Sequence, residues 1–175
     1  MITAEKIKSL LNLTPHPDEG GYFIESYRSP CQISKDVLPD GYGNGRSFST
    51  AIYYLLTPDT FSAMHRLPAD EIFHFYLGDP VEMLQLMPDG SGRIITLGPD
   101  IFKGMHVQVT VMKGVWQGSR LLSGGKFALL GTTMSPGFKG ADYQSGQRDT
   151  LIKAYPQFRD LITALTRQKN EMPHP

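Results

Sequence analysis

Two side chains that could do chemistry together lie near the middle of the sequence. His65 ends one apolar run and Glu71 opens the next, and a short Leu-Pro-Ala-Asp turn separates them. Two antiparallel strands joined by such a turn would place both side chains next to each other on one face. The pair could ligate a divalent metal ion, or the carboxylate could orient the imidazole as a general base. The alternative is a solvated His and Glu beside a surface turn.

Four more polar residues are candidates for the same site. Gln117 follows a Lys-Gly turn and could offer an amide to a bound molecule. Arg28 could clamp a carboxylate or phosphate, and Tyr22, at the same strand parity, could donate a phenolic hydrogen bond. Glu25 has the opposite parity and is expected to point away from Arg28. For Tyr22, Glu25 and Arg28, which share one predicted strand, the alternative is an exposed strand face.

His74 is a candidate for an additional ligand beside Glu71. It follows Glu71 by three residues in one predicted strand, and successive side chains of a strand alternate between its faces. Parity therefore favours the outer face for His74, unless a β-bulge intervenes.

The elements that must position these residues are mostly short strands. Between Tyr22 and Phe138 the chain alternates β-rich runs with Gly, Pro and Asp turns, and no long helical stretch separates the runs. The segments MPDGSGR and LLSGGKF indicate hairpins. A helix is predicted over residues 4–12 with Thr3 as its N-cap, and helix returns after residue 145, before a frayed tail. The pattern predicts an all-β sandwich or barrel.

The segments around His65 and Gln117 resemble the two motifs of the cupin superfamily. The first motif reads His-x-His, three or four residues, Glu, six residues, Gly, and His65, Glu71 and Gly78 match it while Leu67 replaces the second His. The second motif reads Pro-x-Gly, two residues, His, and this chain has Gly114 in place but Gln117 where the His would be. The likeness extends over roughly residues 5–145 and is greatest to a group of small stand-alone cupins of uncharacterised function.

The resemblance implies a jelly-roll β-barrel with short N-terminal and C-terminal helices. Residues 1–175 would form a single cupin domain, with a barrel core at about 20–140. Because Leu67 and Gln117 replace two of the four usual ligands, a divalent metal on His65, Glu71 and Gln117 is doubtful.

Three functions follow from that ligand set. The first is a metal-free acid–base enzyme, isomerase-like or epimerase-like, acting on a sugar derivative or organic acid, with His65 as base, Glu71 as its orienting partner and Gln117 as a donor to the oxyanion. The second is a metal-dependent isomerase or oxygenase. The third is a non-catalytic module that binds a small polar metabolite.

Bulk composition restricts the partners and the compartment. The 175 residues carry 17 basic and 17 acidic side chains, so neither nucleic acid nor an anionic membrane is an expected partner. Cys31 is the only cysteine, and neither a signal sequence nor a transmembrane run is present, which predicts a cytoplasmic protein. Since cupins often pair, the resemblance also implies a homodimer.

Overall fold

A computed structural model describes residues 2–39 and 42–167, in which two antiparallel sheets enclose one apolar core. The strands of these residues are β1 (Thr14–Pro15), β2 (Tyr22–Arg28), β3 (Gln32–Ile33), β4 (Arg46–Ser47), β5 (Thr50–Leu56), β6 (Phe61–Arg66), β7 (Glu71–Gly78), β8 (Val81–Leu86), β9 (Gly92–Leu97), β10 (Gln108–Val111), β11 (Trp116–Leu121), β12 (Ala128–Met134) and β13 (Gln144–Ser145). The α-helices are α1 (Ala4–Leu11), α2 (Arg148–Ala154) and α3 (Arg159–Ala164). Short 3-10 turns lie at Lys35–Val37, Ile101–Lys103, Gly140–Asp142 and Pro156–Phe158.

The strand order is that of a jelly roll. The first sheet has the order β1-β2-β5-β12-β7-β10 and the second has the order β13-β6-β11-β8-β9, while β3 and β4 form a separate ribbon. Consecutive strands from β5 to β8 therefore alternate between the sheets, as do those from β9 to β12. The predicted all-β jelly roll with short terminal helices is confirmed.

The core between the sheets is built from strand residues that alternate in and out. In β10, Val109 and Val111 are buried while Gln108 and Thr110 are exposed. Side chains from both sheets meet in this core, which places the inner faces of the sheets against each other. Its buried members are Tyr54, Leu56, Phe73, Val81, Met83, Leu97, Val109, Val111, Val115, Ala128 and Leu130.

Of the two predicted hairpins, one is confirmed and the other is wrong. The MPDGSGR segment joins the paired strands β8 and β9, and the Asp89 carboxylate accepts the Ser91 N–H in its turn. The LLSGGKF segment also turns, but it leads from β11 in the second sheet to β12 in the first. A tight turn specifies a change of direction, whereas tertiary packing decides which sheet receives the next strand.

The terminal helices lie where the sequence predicts them. The Thr3 hydroxyl accepts the Lys6 N–H at 3.3 Å, which confirms the N-cap of α1. Helices α2 and α3 cover the outer face of the second sheet, where Leu151 and Ile162 pack against Met64. The predicted frayed tail, from Asn170 onward, lies outside the described residues. No helix in the described ranges is both long and apolar enough to cross a membrane.

Candidate functional site

A cavity of about 190 Å³ lies inside the barrel, and residues of β2, β6 and β7 form part of its wall. Both sheets and the segment before β13 contribute to its wall. A larger open groove of about 850 Å³ adjoins it and shares the wall residues Leu67 and Tyr143 with it. The polar side chains on the cavity wall are His16, Glu19, Glu25, Arg28, Thr50, His65, Glu71, Thr132, Lys139 and Tyr143.

His65 lies in β6 and is buried, with only 1% of its surface exposed. Its Nδ1 is 2.7 Å from the backbone carbonyl oxygen of Ala63. Because a carbonyl can only accept, Nδ1 carries the proton, and Nε2 of the neutral ring keeps its lone pair. Burial lowers the pKa of His65, although the neighbouring Glu71 carboxylate opposes that shift. His65 is therefore a neutral imidazole with one basic nitrogen.

Glu71 lies at the start of β7 and is held by Gln117. The Gln117 Nε2 donates to Glu71 Oε2 at 2.6 Å, and both residues are buried. The Gln117 Oε1 is also buried and has no hydrogen-bond partner among residues 2–39 and 42–167. Burial raises the pKa of Glu71, and the nearby Glu19 raises it further, while the Gln117 hydrogen bond opposes both.

The relation between these three residues differs from the expected one. Strands β6 and β7 lie in different sheets, so His65 and Glu71 reach the cavity from opposite walls and are not neighbours on one face. Gln117 is the lateral neighbour of His65 in the second sheet, and its side chain spans the interior to Glu71. Gln117 does not line the cavity, and its amide N–H donates to Glu71. This geometry does not support the predicted role of Gln117 as a donor to a bound oxyanion.

Two further residues of the site, His16 and Glu19, were not among the predicted ones. Both precede β2 and line the cavity, with side chains 11% and 12% exposed. The Glu19 carboxylate accepts the Ser62 hydroxyl, and burial raises its pKa, while burial lowers the pKa of His16. The signal available in the sequence was a His-x-x-Glu spacing just before β2, in a segment with no periodic pattern.

Tyr143 is the third residue that sequence reasoning missed. Its ring stacks on the imidazole of His65, with centroids 5.0 Å apart. Its hydroxyl is buried and has no hydrogen-bond partner in the part of the chain that the structure describes. Burial raises the pKa of Tyr143, so the phenol stays protonated. It therefore has a proton to donate and limits the movement of the His65 ring.

A β-bulge in β2 corrects the predicted orientations on that strand. Glu25 pairs with Ile52 and Tyr27 with Ala51, so Ser26 is an extra residue and the alternation shifts after it. Arg28 and Glu25 consequently both line the cavity, where the guanidinium holds the carboxylate through two hydrogen bonds of 2.9 and 2.6 Å. The prediction that they point to opposite faces is wrong.

Tyr22 lies on the other face of the same strand. It packs in the cluster that includes Ile7 of α1, and the Lys8 ammonium lies 4.3 Å from the centre of its ring. Tyr22 is absent from the cavity wall, so the prediction that it shares a face with Arg28 is wrong for the same reason.

His74 lies on the outer face of β7, as the parity of the strand indicates. It is half-buried, its Nε2 is 3.3 Å from the Thr133 hydroxyl, and its ring is parallel to that of Tyr76. It does not line the cavity and adds no ligand beside Glu71.

The donor set of the cavity does not fit a metal ion. Within residues 2–39 and 42–167, no three His, Cys, Asp or Glu side chains come close enough together to hold one. The Leu67 side chain offers no donor, and the Gln117 amide presents an N–H, not an oxygen, toward Glu71. A metal on His65, Glu71 and Gln117 would have to break that hydrogen bond.

Comparison with known proteins supports the fold and gives no activity. A family model described as Cupin superfamily (DUF985) matches residues 5–145. An uncharacterised protein of Saccharomyces cerevisiae, YML079W, is 32% identical over 153 residues, which are 82% of this chain and 73% of the yeast protein.

Two solved structures resemble the chain over nearly its whole length. A hypothetical protein from Leishmania major has a TM-score of 0.86 and 30% identity, covering 95% of this chain and all of that one. Protein SO0799 from Shewanella oneidensis has a TM-score of 0.84 and 31% identity, covering 97% of this chain and all of that one.

Proposed function

The chain belongs to the cupin superfamily (DUF985), and from that premise we propose that its cavity binds a small polar carbonyl compound and moves a proton on it. The observation that carries the proposal is the protonation state of the His65 ring. The Ala63 carbonyl holds the Nδ1 proton, burial keeps the ring neutral, and the basic Nε2 belongs to a residue of the cavity wall. A neutral imidazole in a polar cavity is suited to general base catalysis near neutral pH.

The size of the cavity supports a small substrate. At about 30 Å³ per water molecule, 190 Å³ corresponds to about six waters, which is the scale of one sugar ring or a short organic acid. A larger substrate would have to extend into the adjoining groove.

The charges on the wall favour a sugar derivative over an organic acid. The wall carries the acidic residues Glu19, Glu25 and Glu71 against the cations Arg28 and Lys139, and Arg28 is already paired with Glu25. A carboxylate substrate would meet two carboxyl groups, whereas hydroxyl groups can donate hydrogen bonds to them. We therefore propose a neutral polyhydroxylated carbonyl compound as the substrate class.

Glu71 supports the base after proton transfer. When His65 Nε2 takes a proton, the imidazole becomes a cation, and the Glu71 charge stabilises the protonated ring. Gln117 fixes the Glu71 carboxyl through its 2.6 Å hydrogen bond and so acts as a positioning residue. The resulting chemistry is isomerisation or epimerisation next to a carbonyl.

Hydrogen–deuterium exchange at carbon tests the proposal. Aldoses, ketoses and their derivatives would be incubated with the protein in D₂O, and proton NMR would follow the C–H next to each carbonyl. The His65→Asn variant keeps an N–H for the Ala63 carbonyl but lacks the Nε2 base, so exchange should fall by about 10²–10⁴-fold.

The matched control is His106→Asn, which changes an exposed histidine outside the cavity and should leave exchange unchanged. If His65→Asn exchanges as fast as the unmodified protein, His65 is not the base. If a sugar binds in the cavity, keeps its C–H protons and is recovered without isomerisation or epimerisation, the protein is a binding module and the catalytic proposal fails.

We also propose that the protein acts as a cytoplasmic homodimer. Cys31 is exposed and unpaired, which suits a reducing compartment, and large apolar side chains such as Phe102 and Ile101 are 97% and 57% exposed. Light scattering at micromolar concentration should give twice the mass of the chain, and a monomer there would refute the dimer.

A further inference from the structure

The cavity contains a second histidine, His16, whose contacts differ from those of His65. We propose that His16 is a catalytic hydrogen-bond donor that complements the His65 base, because the backbone fixes the two rings in opposite tautomers. This inference rests on the proposed function and extends it to a residue of the segment before β2.

The tautomer of His16 follows from one backbone contact. Its Nδ1 is 3.0 Å from the backbone nitrogen of Glu19, whose N–H can only donate. Nδ1 must therefore accept and cannot carry a proton, so a neutral ring has its proton on Nε2. Burial lowers the pKa of His16, against the opposing charges of Glu19 and Asp18, which favours the neutral ring.

The local sequence explains why the ring takes this orientation. His16 precedes Pro17-Asp18-Glu19, a turn that brings the Glu19 N–H back to the ring three residues earlier. Phe23 packs against the imidazole at 4.5 Å between ring centroids. Gly20 follows with φ of +96°, and a Cβ there would lie 2.5 Å from the Phe61 carbonyl oxygen, so only glycine allows this close approach.

The two histidines together provide what enolisation needs. His65 presents a nitrogen that accepts a proton, and His16 has its remaining N–H on Nε2, which lies 4.0 Å from the Glu19 carboxylate. Both residues line the same cavity of about 190 Å³, so one small molecule can contact both. A general base with a neutral imidazole as electrophile is a known solution for proton abstraction next to a carbonyl.

The proposed step conserves atoms and charge. His65 Nε2 takes the proton from the carbon next to the carbonyl, and the electron pair of that C–H bond forms a carbon–carbon double bond. The carbonyl π electrons move to the oxygen, which accepts a hydrogen bond from His16 Nε2–H. His65 then returns its proton to carbon, and in D₂O the carbon receives a deuteron when the N–H of the protonated His65 ring exchanges with solvent before that return.

The first test reads the tautomers directly and needs no substrate. Two-bond proton–nitrogen NMR spectra of protein labelled with ¹⁵N-histidine should show His16 protonated on Nε2 and His65 protonated on Nδ1. The His16→Asn and His65→Asn variants assign the two rings. A His16 ring protonated on Nδ1 would overturn the inference and leave the proposal for His65 standing.

The second test is the D₂O exchange assay with aldoses and ketoses. His16→Asn keeps an oxygen to accept the Glu19 N–H but removes the Nε2 donor, so exchange should fall by about 10²–10³-fold. His16→Gln places an amide N–H near the lost donor and should recover part of that loss.

The pattern of losses separates the two proposals. Loss in His65→Asn with full exchange in His16→Asn would refute the donor role alone. Full exchange in His65→Asn would refute the proposed function. Thermal unfolding of each variant checks that it folds, and recovery by Gln but not Asn at position 16 distinguishes a lost donor from a disturbed fold.

Discussion

Replacing Gln117 by Leu tests the electrostatics of the cavity wall most directly. The wild-type amide makes one favourable and one unfavourable contribution in the folded state. Its Nε2 donates to the buried Glu71 carboxyl at 2.6 Å, while its Oε1 is buried and finds no hydrogen-bond partner among the described residues. Leu removes both at similar volume, so the change in the free energy of unfolding is a balance between them.

The balance depends on the charge of Glu71. A hydrogen bond to a charged group contributes about 1.5–3 kcal/mol and one to a neutral group about 0.5–1.5 kcal/mol, while an unsatisfied buried oxygen costs about 1–3 kcal/mol. Where Glu71 is protonated, Gln117→Leu should be neutral or slightly stabilising. Where Glu71 is ionised, Gln117→Leu should lower the free energy of unfolding by about 1 kcal/mol more than it does where Glu71 is protonated.

The pH direction follows from the pKa of Glu71. Burial raises it, and the Gln117 hydrogen bond opposes that rise, so the variant raises it further. Between the ordinary glutamate pKa of 4.5 and the raised pKa of the folded state, the folded state binds more protons than the unfolded state, and stability falls as pH rises. The Leu variant extends this window upward and should lose more stability at high pH.

Urea unfolding followed by the fluorescence of Trp116, the only tryptophan, measures the difference at several pH values. The matched control repeats the substitution in a Glu71→Gln background, which has no carboxylate to titrate, and the pH-dependent part should vanish. A destabilisation that is independent of pH, or one that persists in the Glu71→Gln background, would refute the reasoning.

Three further predictions follow from the same structure. Leu67→His with Gln117→His restores the two motif ligands beside His65 and should create a divalent metal site; mass spectrometry showing no metal in a folded variant would contradict this. Because burial lowers the pKa of His65 below 6.5, the folded protein loses stability as pH falls through that value. His65→Asn should reduce the slope of the free energy of unfolding against pH by up to about 1.4 kcal/mol per pH unit in urea titrations, and an unchanged slope would contradict this. Asp142→Asn breaks an ion pair with Arg46 whose side chains are 6% and 4% exposed, and should cost about 3–5 kcal/mol by thermal or urea unfolding; a loss under about 1 kcal/mol would show that the pair is solvated.

The sequence predicted that a side chain of β6 and one of β7 belong to one site, but not how they meet. His65 and Glu71 do line one cavity, because the motif spacing fixes their position relative to the turn between them. The residues of that turn are compatible both with β7 pairing beside β6 and with β7 crossing to the other sheet. The crossing depends on how the whole jelly roll closes, which no local pattern contains.

The errors on β2 have a different physical origin. Nothing in the residues around Ser26 indicates that one of them is unpaired, since a bulge is decided by the register with β5. Because Ser26 is an extra residue, Tyr22 and Arg28 lie on opposite faces of β2, although their even spacing would place them on the same face of a regular strand. Parity arguments hold on regular strands, as for His74, and fail beyond any bulge.

The replacements at positions 67 and 117 change the chemistry of the barrel in a consistent way. With an amide at Gln117, the Glu71 carboxyl is held by a hydrogen bond, and burial together with Glu19 raises its pKa. A metal ion would do the opposite, because a cation favours the ionised carboxylate. The barrel interior thus favours neutral imidazoles and carboxyl groups with raised pKa values, which are the states that general acid–base catalysis uses.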